Sequence, residues 1–284
     1  MKKTAIAILI AVLVVAIGGA LVFAGLSVVN FKIRDLDTTQ YVTNTYDVGE
    51  GFTRVELDID TADVRLEPAA DGRCRVVCVE QEKYPHTVTV QGGTLIVRAP
   101  KDHKWLDSMN IGLLTHSPSV TVYLPAAAYE SLQVEADTGR VVLVPGLAFE
   151  TVDVDADTGA VEVDGVDVKR LKISNDTGRI KVANMTPQTA ELEADTGSIE
   201  VTDVVCAGDL RCEENTGSIR LQDVDGANLY LKADTGSISG TIRTEKTFYA
   251  QSSTGSVKVP EGTSGGRCEA YTGTGSIRLS IRGK

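Results

Sequence analysis

Residues 154–163 read Val154-Asp-Ala-Asp157-Thr-Gly159-Ala-Val161-Glu-Val163, and the same frame returns as Ile173-Ser-Asn-Asp176-Thr-Gly178-Arg-Ile180-Lys-Val182 and as Leu192-Glu-Ala-Asp195-Thr-Gly197-Ser-Ile199-Glu-Val201. Thr-Gly pairs recur at Gly139, Gly159, Gly178, Gly197, Gly217, Gly236, Gly255 and Gly275, with spacings of 20, 19, 19, 20, 19, 19 and 20. A fixed period of this size marks a solenoid, in which one supersecondary unit buries its apolar face only by stacking on the next. The residue before each Thr is Asp137, Asp157, Asp176, Asp195, Asn215, Asp234, Ser253 or Gly273. All but the last can hydrogen-bond forward to a turn backbone, and glycine supplies a positive φ, so each Asp-Thr-Gly reads as a corner.

The flanks of the corner alternate with period two, the strand signature. Val141, Val161, Ile180, Ile199, Ile219, Ile238, Val257 and Ile277 form one column, and Val134, Val154, Ile173, Leu192, Cys212, Leu231, Ala250 and Ala270 another. A third runs Leu143, Val163, Val182, Val201, Leu221, Gly240, Val259 and Leu279. These near-uniformly apolar columns predict inward faces of short parallel strands stacked coil on coil. Two outward columns alternate in sign: Glu162, Lys181, Glu200, Arg220, and Asp153, Lys172, Glu191, Arg211. With neighbours about 4.8 Å apart, that order attracts only if the coils lie in register. In a strictly sequential stack Tyr230 and Tyr249 are adjacent and stack on each other. The fold class is thus all-β, a parallel β-solenoid of 19 or 20 residues per coil, with the right-handed sense usual for parallel crossovers. Eight coils make a rod about 38 Å long.

Residues 51–130 are less regular. Phe52–Ile59, Val64–Leu66, Cys74–Val79, Thr87–Val90, Leu95–Val97 and Val120–Leu124 read as strands parted by turn signals such as Asp71-Gly72 and Gly92-Gly93. This region is expected to begin the solenoid and close its first edge. Residues 99–119, with His103, Trp105 and His116, read as an excursion, and Ile277–Arg282 as a weakly protected C-terminal edge.

Ahead of it all, Ala5 to Val29 contains no charge, Asn, Gln or Pro and is flanked by Lys2, Lys3, Lys32 and Arg34. A helix of that length reaches about 37 Å, more than the hydrocarbon core of about 30 Å. A retained signal anchor is expected; the rival is a cleaved signal peptide ending near Val22-Phe23-Ala24. The organisation is then a cytoplasmic tail at 1–4, an anchor at 5–29, a linker at 30–50, the N-terminal β region at 51–130 and regular repeats at 131–284, outside a single-pass cell membrane. The 284 residues carry 28 Lys+Arg and 39 Asp+Glu, net -11, with 5% aromatics. Such acidity disfavours nucleic acid, and scarce aromatics leave few stacking platforms for sugars or bases. Five cysteines, Cys74, Cys78, Cys206, Cys212 and Cys268, show no zinc spacing. Cys74 and Cys78 lie on one strand face about 13 Å apart, too far to bond, and all five read as small buried apolar residues.

Strand, Asp-Thr-Gly or Ser-Gly corner, strand, preceded by a Val-Tyr-Leu-Pro stretch at Val122 to Pro125, resembles the DUF4097 family. These are bacterial, often membrane-anchored β-strand repeat proteins to which adhesion is ascribed. The resemblance covers residues 51–284 and implies a β-solenoid of the cell envelope with no catalytic residues.

Asp157-Thr-Gly-Ala160 also matches the aspartic protease triplet, but such enzymes need two carboxylates about 3 Å apart from separate lobes. A motif that degrades to Asn215, Ser253 and Gly273 is a corner instead. The column Asp137, Asp157, Asp176, Asp195 could draw calcium, since like charges about 4.8 Å apart repel; backbone amides at the corners would serve equally. Polysaccharide cleavage needs a groove with clustered carboxylates, which the repetitive outward columns do not provide. His86, His103 and His116 read as surface residues. No catalytic residue, metal or cofactor is expected. The expected role is a non-catalytic adhesion, binding or structural module of the bacterial envelope, with a partner-sensing accessory of envelope-stress signalling as the alternative and a glycan-active β-helix enzyme third.

Overall fold

The computed structural model describes residues 40–100, 118–262 and 264–283, together with residues 15, 17–20, 23, 24 and 27. The chain divides into two compact units. Those residues of the first that are described and precede residue 40 are helical, and among the described residues no helix is long and apolar enough to cross a membrane. Most of the 5–29 segment, and the His103, Trp105 and His116 excursion, lie outside the described residues.

The second unit is built on parallel coils. Ala148–Asp164, Asp167–Met185, Thr189–Val204 and Asp209–Val224 pair successively in parallel. The pairing aligns Gly159 with Gly178, Gly178 with Gly197 and Gly197 with Gly217. The apolar columns are buried through the middle coils, where Val154, Ile173, Leu192 and Cys212 are fully buried, as are Val161, Ile180, Ile199 and Ile219, whereas Val257 of the latter column is 42% exposed. The outward charges fall in the expected register, with Glu162, Lys181, Glu200 and Arg220 side by side, as are Asp153, Lys172, Glu191 and Arg211. Arg220 approaches Glu200 at 3.6 Å and Arg211 approaches Glu191 at 3.9 Å.

Each corner glycine has a φ between 142° and 154°, a region closed to side chains. A second constraint acts at the same atoms. A Cβ built on Gly159, Gly178, Gly197, Gly217 or Gly236 would lie closer than 3.0 Å to the carbonyl oxygen of the corner glycine in the preceding coil. A second bend occurs at Gly165, Asn184, Asp203 and Asp223, with φ of 58°, 55°, 52° and 54°. Glycine, Asn and Asp are the residues that tolerate this left-handed conformation.

The order of coils departs from the order of sequence at both ends. Arg54–Thr61 pairs with Ala128–Thr138, so that Thr61 aligns with Thr138 and Asp60-Thr61-Ala62 is the corner before Asp137-Thr-Gly139. On its other side Arg54–Thr61 pairs with the later strand Thr94–Arg98, and Asp63–Pro68 pairs with Ser119–Leu124. Outside these, Cys74–Gln81 and Thr87–Gln91 pair antiparallel to Ser119–Leu124 and Thr94–Arg98, and Tyr41–Val48 pairs with Cys74–Gln81.

At the far end, Gly266–Thr274 and Ile277–Ile281 insert between Asn228–Ile242 on one side and Lys246–Thr254 with Val257–Lys258 on the other. This corrects two expectations. Tyr230 does not stack on Tyr249, because Glu269 lies between them. Each tyrosine instead sits under a guanidinium, Arg211 over Tyr230 at 5.1 Å and Arg267 over Tyr249 at 4.7 Å. Ile277–Ile281 is likewise interior, and the coil at 246–258 is outermost.

A buried ion pair fastens that outer coil. Lys246 Nζ donates to Asp225 Oδ1 at 2.6 Å, with side chains 5% and 10% exposed. Its register partner is Gly266, where a Cβ would meet the Ala227 carbonyl at under 3.0 Å. The absence of a side chain there clears a path for Lys246 across the inserted coil. Burial alone would raise the Asp225 pKa, but hydrogen bonds from Lys246, Thr244 Oγ1 and the Gly226 amide hold it below the usual carboxylate range.

Candidate functional site

Among the described residues, three regions have the chemistry or shape of a site. The first is the corner column. Asp137, Asp157, Asp176 and Asp195 are exposed and aligned through their neighbouring Thr-Gly pairs. Burial, then the carboxylates of Asp60, Asp157 and Asp58, raise the pKa of Asp137. Hydrogen bonds tie corner to corner from the Asp position itself, where Asn215 Nδ2 donates to Asp195 Oδ1 at 2.7 Å, and from the position just before the Asp, a column not evident in the sequence pattern. It runs Ala136, Ala156, Asn175, Ala194, Glu214, Ala233, Ser252 and Thr272. Where polar, it binds the glycine backbone of an adjoining coil. Asn175 Nδ2 donates to the Gly159 carbonyl at 3.1 Å, Ser252 Oγ to Gly275 at 2.8 Å and Thr272 Oγ1 to Gly236 at 2.8 Å, and the Gly197 amide donates to Glu214 Oε1 at 3.0 Å. Glu214 is 1% exposed and its Oε2 has no hydrogen-bond partner. Burial pushes its pKa up to about 7, against the pull of the Gly197 amide.

The second region is a cluster in the antiparallel cap. Cys78 and Glu80 share one strand face by two-residue spacing, and the turn at Tyr84 returns His86 to them. Glu80 Oε2 accepts from the His86 amide at 2.6 Å and lies 2.5 Å from His86 Nδ1, while Oε1 accepts from Asn44 Nδ2 at 2.6 Å and from the Tyr46 hydroxyl at 3.1 Å. The His86 side chain is 7% exposed, not a surface group as its sequence context suggested. Among the described residues these are the donors that could hold a metal, with ligand atoms within 4.8 Å of one another. Their chemistry suits a hydrogen-bonded clamp better. Burial would raise the Glu80 pKa, yet four hydrogen bonds hold it below the usual range. Burial and then Glu80 push the Cys78 thiol up to about 12, and burial, Glu80's charge and its hydrogen bond do the same for Tyr46. A cation would have to displace donors from a saturated carboxylate and remove a firmly held thiol proton. All five cysteines are buried and unbridged.

The third region is the outward sheet face across the middle coils. A shallow cleft of about 490 Å³ runs over Asp153, Arg170, Lys172, Glu191, Asp209 and Arg211. Val152, Leu171 and Ala190 border it from below but are buried in the core, so the exposed lining is the row of alternating charges. A second cleft, about 530 Å³, lies at the N-terminal end among Phe52, Arg73, Cys74, Pro125 and Tyr129. Its aromatic wall is Phe52 stacked on Tyr129 with centroids 5.7 Å apart, and Phe149 continues the row behind Tyr129 at 5.5 Å. Each ring stands ten residues before its corner residue, Ala62, Gly139 or Gly159. That regularity is visible in the sequence but was missed there.

The Toastrack DUF4097 family profile matches residues 52–283. Among solved structures, a "putative adhesin" of Bacteroides fragilis is 15% identical, covering 85% of this chain and 97% of its own, with a TM-score of 0.49. A "putative adhesin" of Parabacteroides merdae is 13% identical over 86% of this chain and 97% of its own, TM-score 0.43. A "putative lipid binding protein" of Parabacteroides distasonis is 15% identical over 84% and 96%, TM-score 0.41. No curated protein matches. With the glycine-cornered coils and the profile spanning the same residues, the chain belongs to the Toastrack DUF4097 family.

Proposed function

We propose that the chain is a non-catalytic binding module of the bacterial cell envelope, held to the membrane by residues 5–29 and gripping an extended polymer or protein surface along its middle coils. The observation that carries this reading is the in-register ladder Asp153, Lys172, Glu191, Arg211 lining a shallow cleft. Repeated side chains about 4.8 Å apart on a stiff sheet favour many weak, regularly spaced contacts over one deep pocket. The alternation also keeps this strip near neutral on a chain of net -11, so an anionic envelope polymer is not repelled from it.

Binding of the full chain to arrayed glycans and to isolated envelope fragments tests the site. Reversing the strip with Lys172→Glu and Arg211→Glu is expected to weaken capture. Undiminished capture would remove this face from the reading, and release of reducing ends from a glycan would overturn the non-catalytic role. The anchor rests on the 25 uncharged residues from Ala5 to Val29. It predicts retention of the chain in membranes after alkaline carbonate washing, with residues 40–284 cleaved by protease added outside intact cells.

A further inference from the structure

The inverted order of the last two coils places residues 246–258 at the end of the stack, and three independent features mark that end. Its strands pair on one side only, Lys246–Thr254 with Gly266–Thr274 and Val257–Lys258 with Ile277–Ile281. Past Lys246, whose carbonyl is closely approached by Gly262, the other side has no strand partner from Thr247 to Val257 among the described residues and is the template for adding a strand. Second, Tyr249 at 55%, Val257 at 42% and Tyr271 at 41% are the exposed large apolar side chains of the described solenoid, and all three belong to the last two coils. Third, Thr247 to Val257 is eleven residues without a charge. In-register stretches of the coils from residue 131 to residue 241, and the inserted one at 267–277, carry at least two charges each. Natural edge strands are commonly protected by charge, Pro or a covering element. The opposite end of this stack has such cover in its antiparallel strands.

We propose that this edge is a self-association surface, on which the outermost coil of a second copy adds antiparallel to form a two-fold dimer. Charge selects that occupant. Two chains of net -11 repel over most approaches, but the uncharged edges can meet without like-charge contact, while a charged partner segment would find no complement along Thr247 to Val257. The arrangement closes on itself, because a two-fold axis sets this edge against the same edge of the partner and leaves neither free, so pairing through it stops at two. This inference is independent of what the middle face binds.

Sedimentation velocity of the full chain in mild non-ionic detergent, over a wide concentration series, tests it. The expected result is a monomer–dimer equilibrium that Gln251→Lys with Val257→Lys, both at exposed positions, weakens by about tenfold or more, since like charges meet across the axis. Thr189→Lys, on the middle coils, is expected to leave it unchanged. Circular dichroism confirms that the variants fold. A wild-type monomer throughout, a dimer indifferent to the edge lysines, as association through the apolar leader would give, or a ladder of higher oligomers would each overturn the proposal.

Discussion

Corner glycines satisfy two demands with one atom missing: a φ near 150° and a neighbouring carbonyl packed where a Cβ would stand. The demands separate experimentally. Gly72 has a φ of 70° and nothing within 4 Å of its would-be Cβ, so Gly72→Ala should cost only about 1 kcal/mol. Gly197→Ala meets backbone on the next coil that cannot give without parting the ladder, and should cost at least about 3 kcal/mol. Denaturant midpoints of the two variants check the ranking. Glu214 supplies a second residue-scale prediction. Its pKa rises from an ordinary 4.5 to about 7 in the fold, so between those values the native state binds more protons than the unfolded one. Stability from this group is therefore full below about pH 4.5 and falls as pH rises through 7. The loss is on the order of 3 kcal/mol. Glu214→Gln should keep the carbonyl acceptor for the Gly197 amide, abolish this part of the pH dependence and be more stable than the parent at pH 8. Equal slopes of stability against pH in the two proteins would show that the buried carboxyl is not the cause.

Strand pairing shows which features are legible in sequence and which are not. Period, inward columns and sign alternation were all readable because each is a local pattern repeated at fixed spacing, and Val154, Ile173 and Leu192 are buried side by side accordingly. The second bend was equally readable, since Gly165, Asn184, Asp203 and Asp223 stand eight residues after Asp157, Asp176, Asp195 and Asn215. The Asp60-Thr-Ala62 corner was hidden by one missing glycine. Coil order at the ends was not encoded in the columns, because Phe248 and Ala250 fit the same apolar faces whether their neighbour is Leu229 and Leu231 or Cys268 and Ala270. What decides between them is tertiary: the Lys246–Asp225 pair reaching past Gly266. The Glu80 clamp was unreadable for a related reason, since Asn44 and His86 approach it from outside its own strand. The ladder yields a prediction of its own. Lys172→Glu places a third acid between Asp153 and Glu191 and should lower stability by about 0.5–1 kcal/mol at low salt. That penalty should shrink toward zero at about 1 M salt, where screening acts within about 3 Å; thermal melts at the two ionic strengths read it.

Taken as a whole, a stack of coils opens from its ends, and a linear chain with sequential stacking would lose its C-terminus first. The inserted coil reverses that order. Gly266–Thr274 and Ile277–Ile281 are paired on both sides, whereas Lys246–Thr254 and Val257–Lys258 are paired on one. Opening the outer coil leaves 266–281 still paired with Asn228–Ile242. Opening 266–281 necessarily strips the outer coil of its strand neighbour as well. The free energy of opening 266–281 can therefore be no smaller than that of opening 246–258. Hydrogen exchange should reflect this, with amides of Lys246–Thr254 exchanging first, those of Gly266–Thr274 and Ile277–Ile281 later, and those of Asp167–Met185 and Thr189–Val204 last. The comparison belongs in the Gln251→Lys, Val257→Lys variant at low concentration, where any dimer that shields the edge is absent. Faster exchange at Cys268 to Ile281 than at Phe248 to Thr254 would mean that the C-terminal strands lie outside the stack, and the open edge assigned to residues 246–258 would move with them.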